Sequence, residues 1–174
     1  MVNQKDATKI LNSGSIKYTP EQVVEIRDFL YALAQIEFEN YVLKIQIESR
    51  LMGDLIQNNF IPAAVEYQNK LITNVQGLMN ILGDKAGKAA SKAQIEIIEK
   101  ISMHMNKMKT ASDAMLEQRK IANKLEHAED KALAYCDHVK SHFDEIRYHA
   151  DKLELLVEDE LWPLPKFREM LFTR

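Results

Sequence analysis

The sequence predicts an all-α fold, an antiparallel bundle of three to four long helices, and three observations support this prediction. Apolar residues recur at steps of three and four along most of the chain, which is the period of an amphipathic helix. Five glycines and four prolines occur among 174 residues, so the turns that many short strands would need are scarce. Hydrophobic residues make up 46% and charged residues 28%, a balance typical of a globular domain.

The helical domain is expected to span residues 19–174, after a loosely ordered lead-in over residues 1–18. The lead-in mixes polar residues with glycine and serine, which argues against a long helix there. Thr19 can cap the first long helix, Pro20 suits its first position, and Gln22 completes a capping box.

The first helix is predicted over about residues 20–58 and the second over residues 62–82. Pro62 removes a backbone donor and clashes with the preceding turn, so a kink or break is expected just before it. Gly83 is suited to the C-terminus of the second helix.

Two more helices, over about residues 89–126 and 130–157, and a tail of residues 158–174 complete the prediction. Short loops make consecutive helices antiparallel neighbours. Apolar side chains around Phe29 and Phe38, with Tyr31, leave surface on the first helix, so self-association of the chain is expected.

The tail is predicted to be a packing or docking element. Its two prolines favour an extended backbone, and its large apolar side chains then form a row of anchors. The residues in this prediction are Trp162, Pro163, Leu164, Pro165, Phe167, Leu171 and Phe172. We expect the tail to fold back over its own bundle, and docking into a groove on another domain is the alternative.

Composition excludes several classes of function. The net charge of −3 argues against nucleic acid as a partner, since phosphate binding needs a basic face. No apolar run approaches the ~20 residues that a membrane span requires, and no hydrophobic signal core opens the chain. The single Cys136 excludes an internal disulfide framework. We therefore expect a cytoplasmic protein without membrane or nucleic-acid partners.

One candidate for a metal site is the group of His142, Glu145 and His149, because their spacing puts them on one helical face. Di-iron bundles use a Glu-x-x-His pair on each of two helices, and this pair does not occur in the sequence. His138 lies four residues before His142, and His104 stands apart. Polar or partly buried histidines are the preferred interpretation, and no metal site is predicted.

Other candidates for chemistry also favour ordinary structural roles. Cys136 has Asp137 and His138 beside it, but sequence neighbours point to different helix faces, so a nucleophile–base pair is not expected. Methionines 103, 105, 108 and 115 have the spacing of core residues. The stretch over residues 83–91 lacks the spacing of a phosphate-binding loop. No catalytic, cofactor-binding or metal residue is predicted in this chain.

The end of the chain resembles the C-terminus of bacterial type III glutamine synthetases. The resemblance is based on "ADKLELLVEDELWPLPKFREMLF", residues 150–172, which follow the family pattern AD-x-LE-x-LV-x-D-x-LWPLP-K-[YF]-RE-x-LF. Three blocks continue the resemblance in the same order: "YVLKIQIESRLMGDL" (41–55), "IPAAVEYQNKLITNV" (61–75) and "YCDHVKSHFDEIRYHADKLE" (135–154).

The resemblance implies a C-terminal helical domain of an enzyme that ligates ammonia to glutamate with ATP and Mg or Mn. In that family the catalytic elements lie upstream of this region, so no catalytic residue is carried over. We expect a non-catalytic structural or assembly domain that contacts the upstream catalytic domain and other subunits. The alternative is a stand-alone helical interaction or regulatory module without catalytic activity.

Overall fold

The computed structural model describes residues 2–166 and Glu169, and every regular element within them is helical, which confirms the all-α prediction. The α-helices are α1 (Gln4–Leu11), α2 (Pro20–Leu55), α3 (Ile61–Leu82), α4 (Asp84–Ala90), α5 (Lys92–Asn123), α6 (Ala128–Ala134) and α7 (Phe143–Leu156). Two π-helical turns, Ile56–Phe60 and Tyr135–Val139, and one 3₁₀ turn, Lys140–His142, lie between them.

The lead-in of residues 1–18 is more ordered than the sequence predicted, because it contains α1. The Asn3 side chain caps this helix by accepting a hydrogen bond from the Asp6 backbone N–H at 2.9 Å. Ala7 is buried where α1 packs against α2. Ala7, Ile10 and Leu11 stand at helical spacing on one side of α1, and the order of the segment comes from the cap and from contact of this side with α2.

The start of α2 agrees with the sequence. Thr19 Oγ1 accepts a hydrogen bond from the Gln22 backbone N–H at 3.3 Å, and the Gln22 side chain accepts one from the Thr19 N–H at 3.0 Å. The predicted capping box at Thr19 is therefore confirmed.

The chain stays helical through Pro62, which lies in the first turn of α3. Before Pro62 the helix changes from the α to the π type, because α2 ends at Leu55 and the π-helical turn Ile56–Phe60 follows. A π turn adds a residue to the helical repeat and shifts the side chains that follow around the axis. A bend of the helix axis at this point stays a prediction.

The connection between the helices predicted over residues 62–82 and 89–126 is itself helical, because it contains α4. Gly83 ends α3 with φ of 78°, a conformation that glycine adopts without strain. Gly87 is buried in α4, and a Cβ atom there would lie 2.5 Å from Met79 Cα. Gly87 thus lets α4 pack directly on the backbone of α3.

The core surrounds α5, which packs against α3, α7 and α2. The large side chains that are completely or almost completely buried are Val23, Ile45, Ile56, Ile101, Met108, Met115, Tyr135, Val139, Ile146 and Leu153. The segment predicted as one helix over residues 130–157 is instead α6, the second π turn, the 3₁₀ turn and α7. Tyr135 begins the π turn and donates a hydrogen bond from its hydroxyl to Asn123 Oδ1 at 2.7 Å.

Candidate functional site

Trp162 of the predicted tail is buried against the bundle. Its side chain is 7% exposed, and its ring stacks on Phe60 with centroids 5.0 Å apart and planes 5° from parallel. Phe60 is held by the π turn between α2 and α3. The two aromatic rings belong to the main apolar core.

Polar contacts hold the start of the tail in the same place. The buried Lys166 donates to the Val157 carbonyl at 2.8 Å and forms an ion pair with Asp159 at 2.8 Å. Lys70 of α3 pairs with Glu158 at 2.8 Å, and this hydrogen bond raises the pKa of Lys70. The tail thus contacts both the end of α7 and the side of α3.

The other predicted tail residues differ in position. Pro163, Leu164 and Pro165 are exposed, with Leu164 and Pro165 beside a surface cleft. Phe167, Leu171 and Phe172 lie outside the described residues. The docking role of the tail as a whole stays a prediction.

The cleft lies between α2 and α7 and has a volume of about 680 Å³. Its apolar residues include Ile45, Phe60, Phe143, Ile146 and Trp162. Charged side chains of both signs also line it: Lys44, Glu48, Lys140, Asp144, Arg147, Asp151 and Glu154. An apolar floor with mixed charges around it fits a packing surface better than a site for one charged ligand.

Two buried histidines meet where α5 packs on α7. The Nδ1 atoms of His104 and His149 lie 2.9 Å apart, so one imidazole donates to the other. Burial lowers the pKa of both imidazoles, and the charge of His149 lowers the pKa of His104 further. The pair is therefore neutral at physiological pH, with one shared hydrogen bond.

The histidine pair includes one member of the candidate metal group, His142, Glu145 and His149. Among residues 2–166 and Glu169, no group of three or more His, Cys, Asp or Glu side chains is placed to hold a metal ion. His149 is paired with His104, and Lys107 and Lys152 are close enough to lower the pKa of His104 by charge repulsion. The Glu145 carboxylate acts on His149 in the opposite sense and raises its pKa, so the charges around the pair are mixed.

Cys136 is exposed, and its contact is with Tyr41 of α2 rather than with an imidazole. The hydrogen bond to the Cys136 side chain, together with burial of the phenol, raises the pKa of Tyr41 to about 12. With its pKa raised, Tyr41 stays a protonated phenol at neutral pH and cannot take the proton of the thiol, so this contact supports packing and not nucleophilic catalysis.

The solvent-facing side of α2 is apolar along much of its length. We call residues Phe29, Leu33, Ile36, Asn40, Leu43 and Ile47 the outer seam. Its five apolar members are 45–67% exposed. The opposite side of the same helix packs into the core through Val42 and Ile45, with Phe38 and Met52 partly buried against it. A helix that is apolar on two sides has more apolar surface than this bundle covers.

Sequence reasoning missed two of these features. His104 and His149 are 45 residues apart in the sequence, so no local pattern links them. The burial of His104 could have been predicted, because it lies three residues after Ile101 and four before Met108 on the apolar stripe of α5. The expected apolar surface around Phe29, Tyr31 and Phe38 includes only the first residue of the outer seam, whose steps of four and three continue to Ile47.

No helix among the described residues is both long and apolar enough to cross a membrane.

Comparison with known proteins gives consistent matches. The family described as glutamine synthetase C-terminal domain matches residues 4–79. The chain is 41% identical over 140 residues to a glutamine synthetase of Bacteroides fragilis, which covers 80% of this chain and 19% of that protein. It is 26% identical over 167 residues to a type-3 glutamine synthetase of Dictyostelium discoideum, which covers 96% of this chain and 23% of that protein.

A glutamine synthetase of Butyrivibrio fibrisolvens is 28% identical over 164 residues, covering 94% of this chain and 23% of that protein. The chain therefore spans about a fifth of the length of the curated relatives it matches.

Proposed function

Because the chain belongs to the glutamine synthetase C-terminal domain family, we propose that it is the non-catalytic structural and assembly domain of a type III glutamine synthetase. The whole enzyme ligates ammonia to glutamate with ATP and Mg or Mn. The upstream catalytic domain and other subunits are the partners of this domain.

The outer seam of α2 is the observation that supports an assembly role most directly. A row of exposed large apolar side chains, interrupted once by Asn40, is unfavourable in water and is typical of a surface that another protein covers. The outer seam does not contribute to the core, because α2 packs into the bundle by its opposite side.

The described residues offer poor support for catalysis. The buried imidazoles of His104 and His149 bond each other through their Nδ1 atoms, and each therefore has one ring nitrogen engaged in this contact. ATP with its metal ions requires several carboxylates or imidazoles directed at one point, together with donors for the phosphates. No step of the ligation reaction is therefore assigned to this chain.

The non-catalytic part of the proposal is tested by incubating the purified chain with glutamate, ammonia, ATP and Mg. We expect no glutamine above the level without protein. The intact glutamine synthetase of Bacteroides fragilis under the same conditions is the positive control. Sustained glutamine formation by the purified chain would show that this part of the proposal is wrong.

The assembly part is tested in that relative. The region matched by this chain is deleted, and in a second variant it is replaced by this chain. We expect the deletion to reduce the mass of the assembly in light scattering and the replacement to restore it. An assembly of unchanged mass after the deletion would refute the assembly role.

A further inference from the structure

We propose that α2 pairs with α2 of a second copy of this chain as a parallel, in-register coiled coil through the outer seam. This inference rests on the proposed assembly function and specifies the surface, the partner and the orientation.

The spacing of the outer seam is that of a coiled coil. Its six residues follow one another at steps of four, three, four, three and four, which places Leu33, Asn40 and Ile47 at a positions. Phe29, Ile36 and Leu43 then occupy the d positions. Three heptads with one polar residue extend over about 28 Å of helix. The repeat is regular enough for a second helix with the same repeat to pack along the whole length of the outer seam.

The position of the seam on the bundle permits such a pair. Phe38, Ile45 and Met52 are among the residues of α2 opposite the seam, and they pack against or lie in the core. Two copies joined by their seams therefore have their bundles on opposite sides of the helix pair. The helix α1 lies against a flank of α2 that includes Arg27, Tyr31 and Ala34, and it leaves the seam exposed.

Asn40 at the central a position favours a second copy over an unrelated apolar surface. An asparagine at one a position reduces the stability of a coiled coil, but it selects a two-stranded, in-register pair by bonding to its counterpart. Asn40 is exposed in the chain, in the middle of the apolar seam. Its amide finds a matching amide only when both helices are in the same register.

Charges beside the seam favour the parallel orientation. In a parallel pair the g residue of one helix faces the following e residue of the other, so Glu39 faces Lys44 of the second copy. In an antiparallel pair centred on the seam, Glu37 and Glu39 of each copy face the same carboxylates of the other. The Oε1 atom of Glu39 accepts a hydrogen bond from Gln35 at 2.9 Å, which orients the carboxylate along this flank.

The helix is also formed before association. Three heptads are short for an isolated coiled coil, since helix formation is costly for a free peptide. Here α2 is already held by the core, so pairing does not have to order its backbone.

The first test is the mass of the chain in light scattering across micromolar concentrations. We expect the 20.1 kDa chain to associate into a dimer. Leu43→Glu should raise the dissociation constant more than about 100-fold, because each dimer loses two buried side chains and gains two facing carboxylates. The matched control is Leu155→Glu, at an exposed leucine of α7, which should leave the dimer unchanged.

The second test fixes the orientation. In a Cys136→Ser chain, Leu43→Cys should form an intermolecular disulfide on oxidation, since the parallel pair brings the two residues to one layer. In the antiparallel pair they would be about 15 Å apart. Leu155→Cys is the control that should stay uncrosslinked.

A monomeric wild-type chain, a dimer that survives Leu43→Glu, or no disulfide from Leu43→Cys would each overturn this inference. Circular dichroism checks that the variants remain helical. A monomer would leave the proposed function standing, because the deletion and replacement in the relative test assembly without assuming that α2 pairs with itself.

Discussion

Replacing Trp162 with alanine is expected to lower the free energy of unfolding by about 3–5 kcal/mol. The side chain is 7% exposed, so nearly all of its surface is removed from water. An aromatic side chain of this size buries about 200 Å², and at about 25 cal/mol per Å² this amounts to ~5 kcal/mol. The parallel stack on Phe60, with centroids 5.0 Å apart, adds about 0.5–1.5 kcal/mol, and the β-carbon that alanine retains together with relaxation around the cavity offsets a contribution of this size.

The position of Trp162 near the end of the chain limits this loss. The tail can detach while the bundle stays folded, and then the mutation removes no more than the docking free energy of the tail. The contacts of Lys166 with Val157 and Asp159 belong to the same docked segment, so they detach with it. We therefore expect a loss near the lower end of the range, about 3 kcal/mol.

Urea denaturation followed by circular dichroism measures the free energy of unfolding of the wild-type chain and of Trp162→Ala. Trp162 is the single tryptophan of the sequence, so the fluorescence of the wild-type chain reports directly on its burial. Leu155→Ala is the control, because that leucine is 77% exposed and its truncation should change stability by less than about 0.5 kcal/mol. A change below about 1 kcal/mol in Trp162→Ala would refute the conclusion that the tail stabilises the bundle.

Two further predictions concern the histidine pair and the corner between α3 and α4. Burial lowers the pKa of His104 and His149 from their ordinary value of 6.5, so the unfolded chain binds more protons than the folded one as pH falls through that value. The free energy of unfolding should therefore be highest above pH 7 and fall towards pH 5.5. His104→Gln should weaken this pH dependence. A pH profile of the variant identical to that of the wild-type chain would contradict the contribution of the histidine pair. Gly87→Ala should destabilise by about 1–3 kcal/mol, because its Cβ would meet the Met79 backbone, whereas Gly77→Ala, with open space around it, should stabilise by about 0.5–1 kcal/mol. Thermal denaturation of the two glycine variants compares them directly, and equal shifts would contradict the close approach at Gly87.

Much of the helical architecture could be predicted because its causes are local. The cap at Thr19 involves groups three residues apart, and Gly83 ends α3 through its own backbone conformation. The two π turns, at Ile56–Phe60 and Tyr135–Val139, were not predicted. A π turn changes the helical repeat by one residue, and apolar spacing alone does not distinguish it from an ordinary helical turn.

The apolar period of the sequence by itself determined that the chain is helical, and its final blocks determined the family it resembles. Only the tertiary structure decided that His104 meets His149, that Trp162 stacks on Phe60, and which side of α2 enters the core. The physical reason is the sequence separation of the interacting groups. A helix forms from groups within about four residues of one another, whereas burial of one side of an evenly apolar helix depends on which distant helices pack against it.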